Sequence, residues 1–279
     1  MISIFYRKKH IFLTLLILFS LFFCRIKVEA KTIGSIENLL SQVGATSSQC
    51  DLGSMTSDAV RAAAGTDFAM IPGGILYQNL QPGEVTLESL ENSYVSDAEL
   101  GICEVSTAEL KELVETGLSH IQVDTDNGDV LDEEASSFYG FLQISGFSLK
   151  CDYSAPVGER VLWIKDEAGN ELNLSDTERK YSLALTTDLL DEKYGFTLSQ
   201  EPQKLDCSMI EAVSTYIAEG KAEAEQSERY KIIGIRREGI MLNISPIIPL
   251  LLTVVFIIAG IRSTGRARKA EEEMKYIAY

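Results

Sequence analysis

The chain has 279 residues, a formal net charge of −16, and a composition that is 46% hydrophobic. That hydrophobic share excludes an intrinsically disordered chain, and the length is sufficient for one well-buried core. The acidity is concentrated between residues 31 and 238, which contain 37 Asp and Glu against 15 Lys and Arg. Such a field disfavours nucleic acid and anionic lipid as partners, because both are polyanions.

The first 30 residues have the pattern of a secretory signal peptide. A basic start is followed by the apolar stretch Ile11 to Cys24, and Val28-Glu29-Ala30 fits a small-residue cleavage site. The alternative is an uncleaved membrane anchor. Lipid attachment at Cys24 is disfavoured, because bulky Phe22 and Phe23 precede it.

A second apolar stretch, residues 239–261, predicts one transmembrane helix. It has 23 residues without a charge, and at 1.5 Å per residue it is long enough to cross the hydrocarbon layer. The tail, residues 262–279, begins with several arginines, which predicts a cytoplasmic C-terminus. We therefore expect a single-pass type I protein of the cell membrane, with its domain outside.

The residues between these segments predict three parts. Residues 31–49 begin with apolar side chains at helical spacing, which predicts a leading helix. Residues 50–220 form the domain, whose strands and helices alternate irregularly and include a predicted hairpin at Val161 to Leu174, so the fold class is α+β. The charged, alanine-rich residues 221–238 predict a juxtamembrane stalk.

The most informative stretch runs from Ser57 to Leu90. A short helix precedes the apolar strand Asp67 to Ile71, and Pro72-Gly73-Gly74 ends that strand, since proline lacks a donor and glycine accepts a positive φ. After a second turn, Thr86-x-x-Ser89 predicts the start of another helix.

This order of elements resembles the C-terminal domain of the 5′-nucleotidase family. Cys103 to Glu115 resembles the family's strand and following helix, and Phe141 to Gly146 resembles a run found in the same place. The resemblance covers roughly residues 48–218. It implies a layered α/β/β/α domain that holds a nucleoside between two aromatic rings, while a separate metal-dependent domain performs catalysis.

The resemblance also implies where a ligand would bind, although several family residues are replaced. The family's glycine turn ends in an arginine, and Leu76 stands at that position here. The two stacking rings fall near Val95-Ser96 and near Asp188, so Tyr94 and Tyr194 are the nearest substitutes. The candidate ligand-binding residues are Gly73, Gly74, Tyr94, Asp188, Tyr194 and Phe196.

The sequence predicts neither catalytic residues nor a metal site nor a cofactor. A two-metal phosphoesterase needs several His and Asp ligands, and His120 is the single histidine after residue 30. The acidic stretch from Asp124 to Glu134 departs from the calcium-loop pattern, because Gly128 comes at the fifth position and no Glu stands at the twelfth. We interpret it as a solvated loop.

Four cysteines lie outside the predicted membrane segments. An even number in an exported domain predicts two disulfides, with three possible pairings. Cys103 with Cys151 is the favoured pair, because both lie in predicted strands. Free thiols are the alternative, and zinc is disfavoured because no C-x-x-C pair occurs. The disulfide candidates are Cys50, Cys103, Cys151 and Cys207.

Three functions remain open. The first is a membrane-anchored extracellular domain without catalytic activity that binds a small ligand, such as a nucleoside, or a protein partner. The second is an accessory subunit in nucleotide catabolism that works with a separate metallophosphoesterase. The third is a structural protein for surface display. Nucleic acid is not an expected partner of any of them.

Overall fold

A computed structural model describes residues 31–126, 129–222 and 227–236. The predicted signal peptide, transmembrane helix and cytoplasmic tail all lie outside these residues. Within the described part of the chain, every helix is too short or too polar to span a bilayer.

The described chain has a mixed α/β fold. Its helices are α1 (Asp51–Ala64), α2 (Leu87–Glu91), α3 (Thr107–Gly117) and α4 (Met209–Ala218). Its strands are β1 (Thr32–Ile36), β2 (Phe68–Pro72), β3 (Gly83–Thr86), β4 (Glu99–Ser106), β5 (Val123–Asp124), β6 (Val130–Leu131), β7 (Leu142–Ser145), β8 (Phe147–Asp152), β9 (Val161–Asp166), β10 (Lys180–Thr186), β11 (Gln203–Ser208) and β12 (Tyr230–Ile233).

A five-stranded sheet in the order β11-β4-β10-β2-β7 forms the centre. β10 runs parallel to β2, and the other neighbours are antiparallel. A three-stranded sheet has the order β12-β8-β9, and β1 with β3 and β5 with β6 form two small ribbons.

Strand β2 is buried on both faces of the central sheet. Phe68 and Met70 point into one hydrophobic cluster, whereas Ala69 and Ile71 point into the other. This alternation follows from the two-residue repeat of a strand. Helices α1 and α4 cover the second cluster, while α3 and the three-stranded sheet cover the first.

Helix starts follow the local sequence closely. Thr86 caps α2 in a reciprocal pair with Ser89, as the sequence predicts, and Ser106 caps α3 in the same way with Glu109. Each pair satisfies backbone N–H groups that have no partner inside the helix.

The expected leading helix in residues 31–49 is replaced by a strand and turns. Thr32–Ile36 is β1, which pairs with β3, and Leu40 exchanges backbone hydrogen bonds with Leu80 at 3.0 Å. Ile36 and Leu40 are buried, but strand pairing places them rather than a helical face. The first helix of the described chain begins at Asp51.

Two further boundaries differ from the prediction. Apolar residues at helical spacing from Met209 to Ile217 predict a last helix over Lys204 to Gly220. The helix begins at Met209 instead, because Gln203–Ser208 pairs with β4 as the edge strand β11. The expected stalk at residues 221–238 includes β12, which lies parallel to β8 in the three-stranded sheet. Tyr230 is buried in the first hydrophobic cluster, so Tyr230–Ile233 is part of the domain.

The prediction of disulfides is wrong for the described cysteines, which are all free. Cys103 lies on β4 of the central sheet and Cys151 on β8 of the smaller sheet, and both are buried side chains of the first hydrophobic cluster. Cys50 caps α1, where its sulfur accepts from the Gly53 N–H at 3.3 Å. The thiols therefore serve as small apolar core residues and as a cap.

Candidate functional site

A cleft of about 880 Å³ opens beside the turn that follows β2. The cleft is lined by Gly74 of the turn Gly73–Ile75, by residues 137–139, and by Lys193 with Tyr194. The lining residues are Thr46, Gly74, Leu76, Tyr77, Val95, His120, Ser137, Phe138, Tyr139, Lys193 and Tyr194.

The double glycine is required by a close approach between two chain segments. Gly73 N–H donates to the Phe141 carbonyl at 2.6 Å, and Gly74 N–H donates to the Tyr139 carbonyl at 2.9 Å. A Cβ on Gly73 would overlap the Ala45 carbonyl oxygen, and one on Gly74 would lie 2.6 Å from the Cβ of Tyr139. Neither glycine has a positive φ, so that part of the prediction is wrong.

Two tyrosine rings lie largely in solvent at the cleft. Tyr77 is 62% exposed and Tyr139 is 63% exposed, and Val95 beside them is also exposed. Tyr194 supplies a third, partly buried ring. Large apolar side chains in a concave surface favour a binding site for a ring-shaped or apolar group.

His120 and Phe138 stack against each other within the same wall. Their ring centroids are 4.1 Å apart and the planes differ by 19°. Ser119 Oγ lies 3.0 Å from His120 Nδ1 and also donates to the Thr116 carbonyl at 2.7 Å. Ser119 Oγ has one proton to donate, so with that proton on the Thr116 carbonyl its oxygen can accept from Nδ1–H of His120, and in that tautomer Nε2 is an acceptor.

Lys193 carries the positive charge of the cleft wall. Its ammonium lies 2.9 Å from a carboxylate oxygen of Asp191 and 4.6 Å from the ring centroid of Tyr194. The hydrogen bond with Asp191 is the largest cause of a raised pKa for Lys193. The side chain is therefore cationic at neutral pH and lies over a cleft ring.

The structure brings only some of the sequence-predicted residues to this cleft. Gly74 and Tyr194 line it, and Gly73 lies buried next to Gly74. Phe196 is buried in the first hydrophobic cluster. Asp188 does not line the cleft, and its buried Oδ1 has no hydrogen-bond partner in the described structure.

Tyr94 is a core residue rather than a cleft residue. It is buried in the second hydrophobic cluster, and its hydroxyl lies 2.7 Å from Thr56 Oγ1. Burial raises the pKa of this phenol above its usual value. The hydrogen bond to α1 satisfies the hydroxyl inside the protein, so the ring is not available for stacking on a ligand.

Sequence reasoning missed Tyr77, Tyr139, His120 and Lys193 as cleft residues. One signal was available for Tyr77, which follows the glycine turn by two residues. No local pattern marks Tyr139 or His120. Tyr139 reaches the cleft because its carbonyl and that of Phe141 accept hydrogen bonds from the glycine turn, and His120 reaches it by stacking on Phe138.

Of the described residues in the acidic stretch, Asp124 ends β5, Val130 and Leu131 form β6, and residues 132–134 enter the turn that follows. The Asp132 carboxylate accepts from the Ala135 N–H at 2.9 Å, which is a local turn contact. Across the residues that the structure describes, no three His, Cys, Asp or Glu side chains are grouped as metal ligands would be.

Comparison with known proteins gives the family. The profile described as "5′-nucleotidase, C-terminal domain" matches residues 32–201, more than half of the chain. The chain belongs to the 5′-nucleotidase C-terminal domain family. No curated protein has significant sequence similarity to it over any part.

Solved structures support the fold of this 5′-nucleotidase C-terminal domain. A 5′-nucleotidase precursor from Thermus thermophilus is 21% identical with a TM-score of 0.61, over 74% of this chain and 40% of that one. A sulfate thiohydrolase from the same organism is 20% identical, with a TM-score of 0.54 over 75% and 36%. The NAD nucleotidase of Haemophilus influenzae is 12% identical, with a TM-score of 0.56 over 74% and 38%. The chain thus spans about two fifths of the length of these proteins.

The cleft of this 5′-nucleotidase C-terminal domain offers three kinds of contact. The rings of Tyr77, Tyr139 and Tyr194 offer stacking surfaces, His120 offers a ring nitrogen for hydrogen bonding, and Lys193 offers a cation. These groups are suited to holding a planar polar molecule in place.

Proposed function

We propose that this chain binds a small planar ligand of the nucleoside type in the tyrosine-lined cleft. The observation that carries the proposal is the exposure of Tyr77 and Tyr139 inside one concave site beside the glycine turn. A stacked pair of aromatic rings contributes about 0.5–1.5 kcal/mol beyond burial, so two or three rings supply a useful part of the binding energy. Membership of the family supports a ligand of this class.

We further propose that the domain is presented outside the cell on one C-terminal membrane helix and has no catalytic activity of its own. The proposal rests on the signal-peptide pattern of residues 1–30 and on the apolar run at residues 239–261. His120 is the single histidine after residue 30, whereas two-metal phosphoester hydrolysis needs several. Binding, rather than bond cleavage, is therefore the activity that we assign to it.

A second candidate function is that of an accessory subunit in nucleotide catabolism. It is favoured by the match of this chain to about two fifths of the length of the solved relatives. In this arrangement a separate metallophosphoesterase would provide the catalytic groups and this chain the ligand contacts. Affinity purification of the full chain from its own membranes, followed by mass spectrometry, would identify such an enzyme in stoichiometric amounts.

Calorimetric titration of the full chain in detergent, with adenosine, AMP and uridine nucleotides and no added metal, tests the proposed function. We expect micromolar binding of at least one of them. Tyr77→Ala and Tyr139→Ala should each weaken it by roughly tenfold, because each removes a stacking surface. Leu162→Ala, which truncates an exposed side chain on β9 away from the cleft, is the control. Absence of heat at millimolar ligand would contradict the proposal and leave a scaffold whose partner is a protein.

A further inference from the structure

We propose that Tyr230 positions the glycine turn and Tyr139 from outside the cleft, so that ligand affinity depends on how residues 227–233 dock on the domain. We call residues 227–233 the strap; they comprise β12 and the residues just before it. Tyr230 does not line the cleft, so its effect on a ligand passes through the residues that it contacts. The inference rests on the proposed function, because it concerns the same cleft.

Tyr230 contacts the segment that holds the glycine turn. Its hydroxyl donates to the Leu142 carbonyl at 2.6 Å, and its buried ring lies 5.3 Å from the ring of Phe141, measured between centroids. The preceding carbonyl, that of Phe141, accepts from the Gly73 N–H at 2.6 Å. Consecutive peptide groups thus bind the strap and the glycine turn. Because only the two backbone dihedrals of Leu142 separate these carbonyls, a shift of one displaces the other.

The strap also covers the open edge of the central sheet. β7 is an edge strand, and Leu142 and Ile144 are alternate residues on it, so their carbonyls point the same way. Tyr230 donates to the first of these carbonyls and the Arg229 guanidinium to the second. Ser57 Oγ also donates to the Ile144 carbonyl, at 3.0 Å. The strap therefore fixes β7 at the end that follows directly from the cleft wall at residues 137–139.

A second connection runs from the strap to the cleft through the turn before α1. Gln49 Oε1 accepts from the Arg229 N–H at 2.7 Å, and Gln49 Nε2 donates to the Ser227 carbonyl at 2.8 Å. Earlier on the same turn, Thr46 lines the cleft, and its carbonyl accepts from the Phe138 N–H at 2.9 Å. The strap is thus joined to the cleft wall by short connections on two sides.

The side chain of Gln143 ties these two connections together. It is fully buried, and its Nε2 donates to the carbonyls of Ala45 at 2.9 Å and Ser48 at 2.8 Å, while its Oε1 accepts from the Cys50 N–H at 3.1 Å. Gln143 follows Leu142 on β7, so the strand that the strap covers also holds the turn. A buried network whose groups are satisfied favours a single geometry, and this one includes the strap.

Tyr230→Phe tests the inference, because it keeps the ring beside Phe141 and removes only the donor to Leu142. Calorimetry with AMP on the full chain in detergent should show roughly threefold to tenfold weaker binding, since ligand contacts depend on positions held within about 0.5 Å. Gln49→Ala interrupts the other connection and should weaken binding in the same direction. Both variants are titrated at a temperature where circular dichroism shows them to be folded.

Two controls separate positioning from a loss of stability. Tyr94→Phe removes another buried phenol hydroxyl and should lower stability without changing the affinity for AMP. Lys231→Gln alters an exposed side chain on β12 itself and should change neither quantity. If Tyr230→Phe and Tyr94→Phe weaken AMP binding equally, Tyr230 acts through stability alone and the inference is wrong.

Hydrogen exchange provides a measurement that does not require AMP to bind. In the chain without ligand, Tyr230→Phe should speed exchange at the amides of Gly73 and Gly74 more than Tyr94→Phe does, because their acceptors lose a support. In the unaltered chain, saturating AMP should slow exchange at residues 230–233, since an effect of the strap on ligand affinity implies an equal effect of ligand on strap docking.

The outcomes distinguish the inference from the proposed function. Unchanged exchange at Gly73 and Gly74 in Tyr230→Phe overturns the inference, whether or not AMP binds. Unchanged AMP affinity in that variant also overturns it and leaves ligand binding in place. Absence of heat with AMP, adenosine and uridine nucleotides overturns the proposed function, and exchange at the two glycines then decides alone whether Tyr230 positions the turn.

Discussion

The guanidinium of Arg229 donates to a carboxylate oxygen of Asp58 at 2.6 Å, and this contact joins the segment before β12 to helix α1. Ser145 Oγ donates to the other oxygen of Asp58 at 2.5 Å. The same guanidinium donates to the Ser54 carbonyl and to Ser57 Oγ, each at 3.1 Å. The segment that was expected to be a stalk is thus attached to the domain through a mostly buried ion pair.

Replacing this arginine should destabilise the domain. Arg229→Met leaves the Asp58 carboxylate in a mostly buried place without its cation, and we expect a loss of about 2–3 kcal/mol in the free energy of unfolding. The control is Arg61→Met, since Arg61 pairs with the exposed Glu167 and its loss should cost under about 1 kcal/mol. Urea unfolding of both variants measures the difference, and equal losses would contradict the prediction.

Gly74→Ala should weaken ligand binding by displacing Tyr139. The added Cβ would lie 2.6 Å from the Tyr139 Cβ and 2.8 Å from its Cα, so the backbone beneath the ring must move. We expect at least roughly tenfold weaker binding, because ligand contacts depend on positions held within about 0.5 Å.

The control for this glycine is Gly158→Ala. Gly158 has a φ of 88° and open space around its Cα, so alanine there costs backbone strain but changes no cleft contact. It should lower stability while leaving the affinity unchanged. If Gly74→Ala bound ligand as the unaltered chain does, the turn would not position Tyr139 for binding.

Tyr94→Phe should lower stability without changing the affinity of the cleft. The variant removes the hydroxyl that lies 2.7 Å from Thr56 Oγ1 inside the second hydrophobic cluster. A lost buried hydrogen bond costs about 0.5–1.5 kcal/mol or somewhat more. Denaturant unfolding measures the stability of the variant, and calorimetric titration measures its affinity for the ligand. A weaker affinity would place Tyr94 in the binding site.

The described cysteines should all be recovered as thiols. Burial raises the pKa of Cys50 and of Cys151 to about 12, and that of Cys103 to about 11. A raised pKa leaves less thiolate at a given pH, so alkylation of the folded chain at pH 8 should be slow at these three. Cys207, which is less buried, should react first.

Peptide-resolved mass spectrometry after alkylation without reductant provides the measurement. In denaturant, Cys50, Cys103, Cys151 and Cys207 should each be labelled completely. The recovery of a linked pair of these peptides would show that the protein forms a disulfide that the structure lacks.

Elements defined by neighbouring residues were predictable from the sequence. Thr86 with Ser89 marked the start of α2, and the apolar run ending at Pro72 marked β2. The capping pair lies within three residues, and the apolar run with its proline is a local mark even though β2 pairs with the distant strands β7 and β10. The leading segment was misread because apolar residues at Ile36 and Leu40 also suit a strand and a turn when β3 lies beside them. That pairing joins residues about 40 to 50 positions apart and leaves no local mark.

The site was predictable only at the glycine turn and at Tyr194. A tyrosine in the sequence can become a core residue or an exposed ring, and Tyr94 and Tyr77 took opposite roles although Tyr94 pairs with Leu76, the chain neighbour of Tyr77. The contact that decides between these two roles comes from a residue far away in the sequence. Thr56 on α1 shares a hydrogen bond with the hydroxyl of Tyr94, whereas the ring of Tyr77 stays largely in solvent. The resemblance located the turn beside the cleft and the ring of Tyr194, but not the rings of Tyr77 and Tyr139.

The pairing of β12 with β8 has a practical consequence for where the domain is cut. The family match ends at residue 201, and the sequence pattern suggested an end near residue 220. A fragment ending at either place would lose β12 and leave the edge of β8 with unpaired backbone N–H and C=O groups. Open strand edges recruit other chains, so such a fragment would tend to aggregate in the test tube, and its poor solubility would be an artefact of the cut.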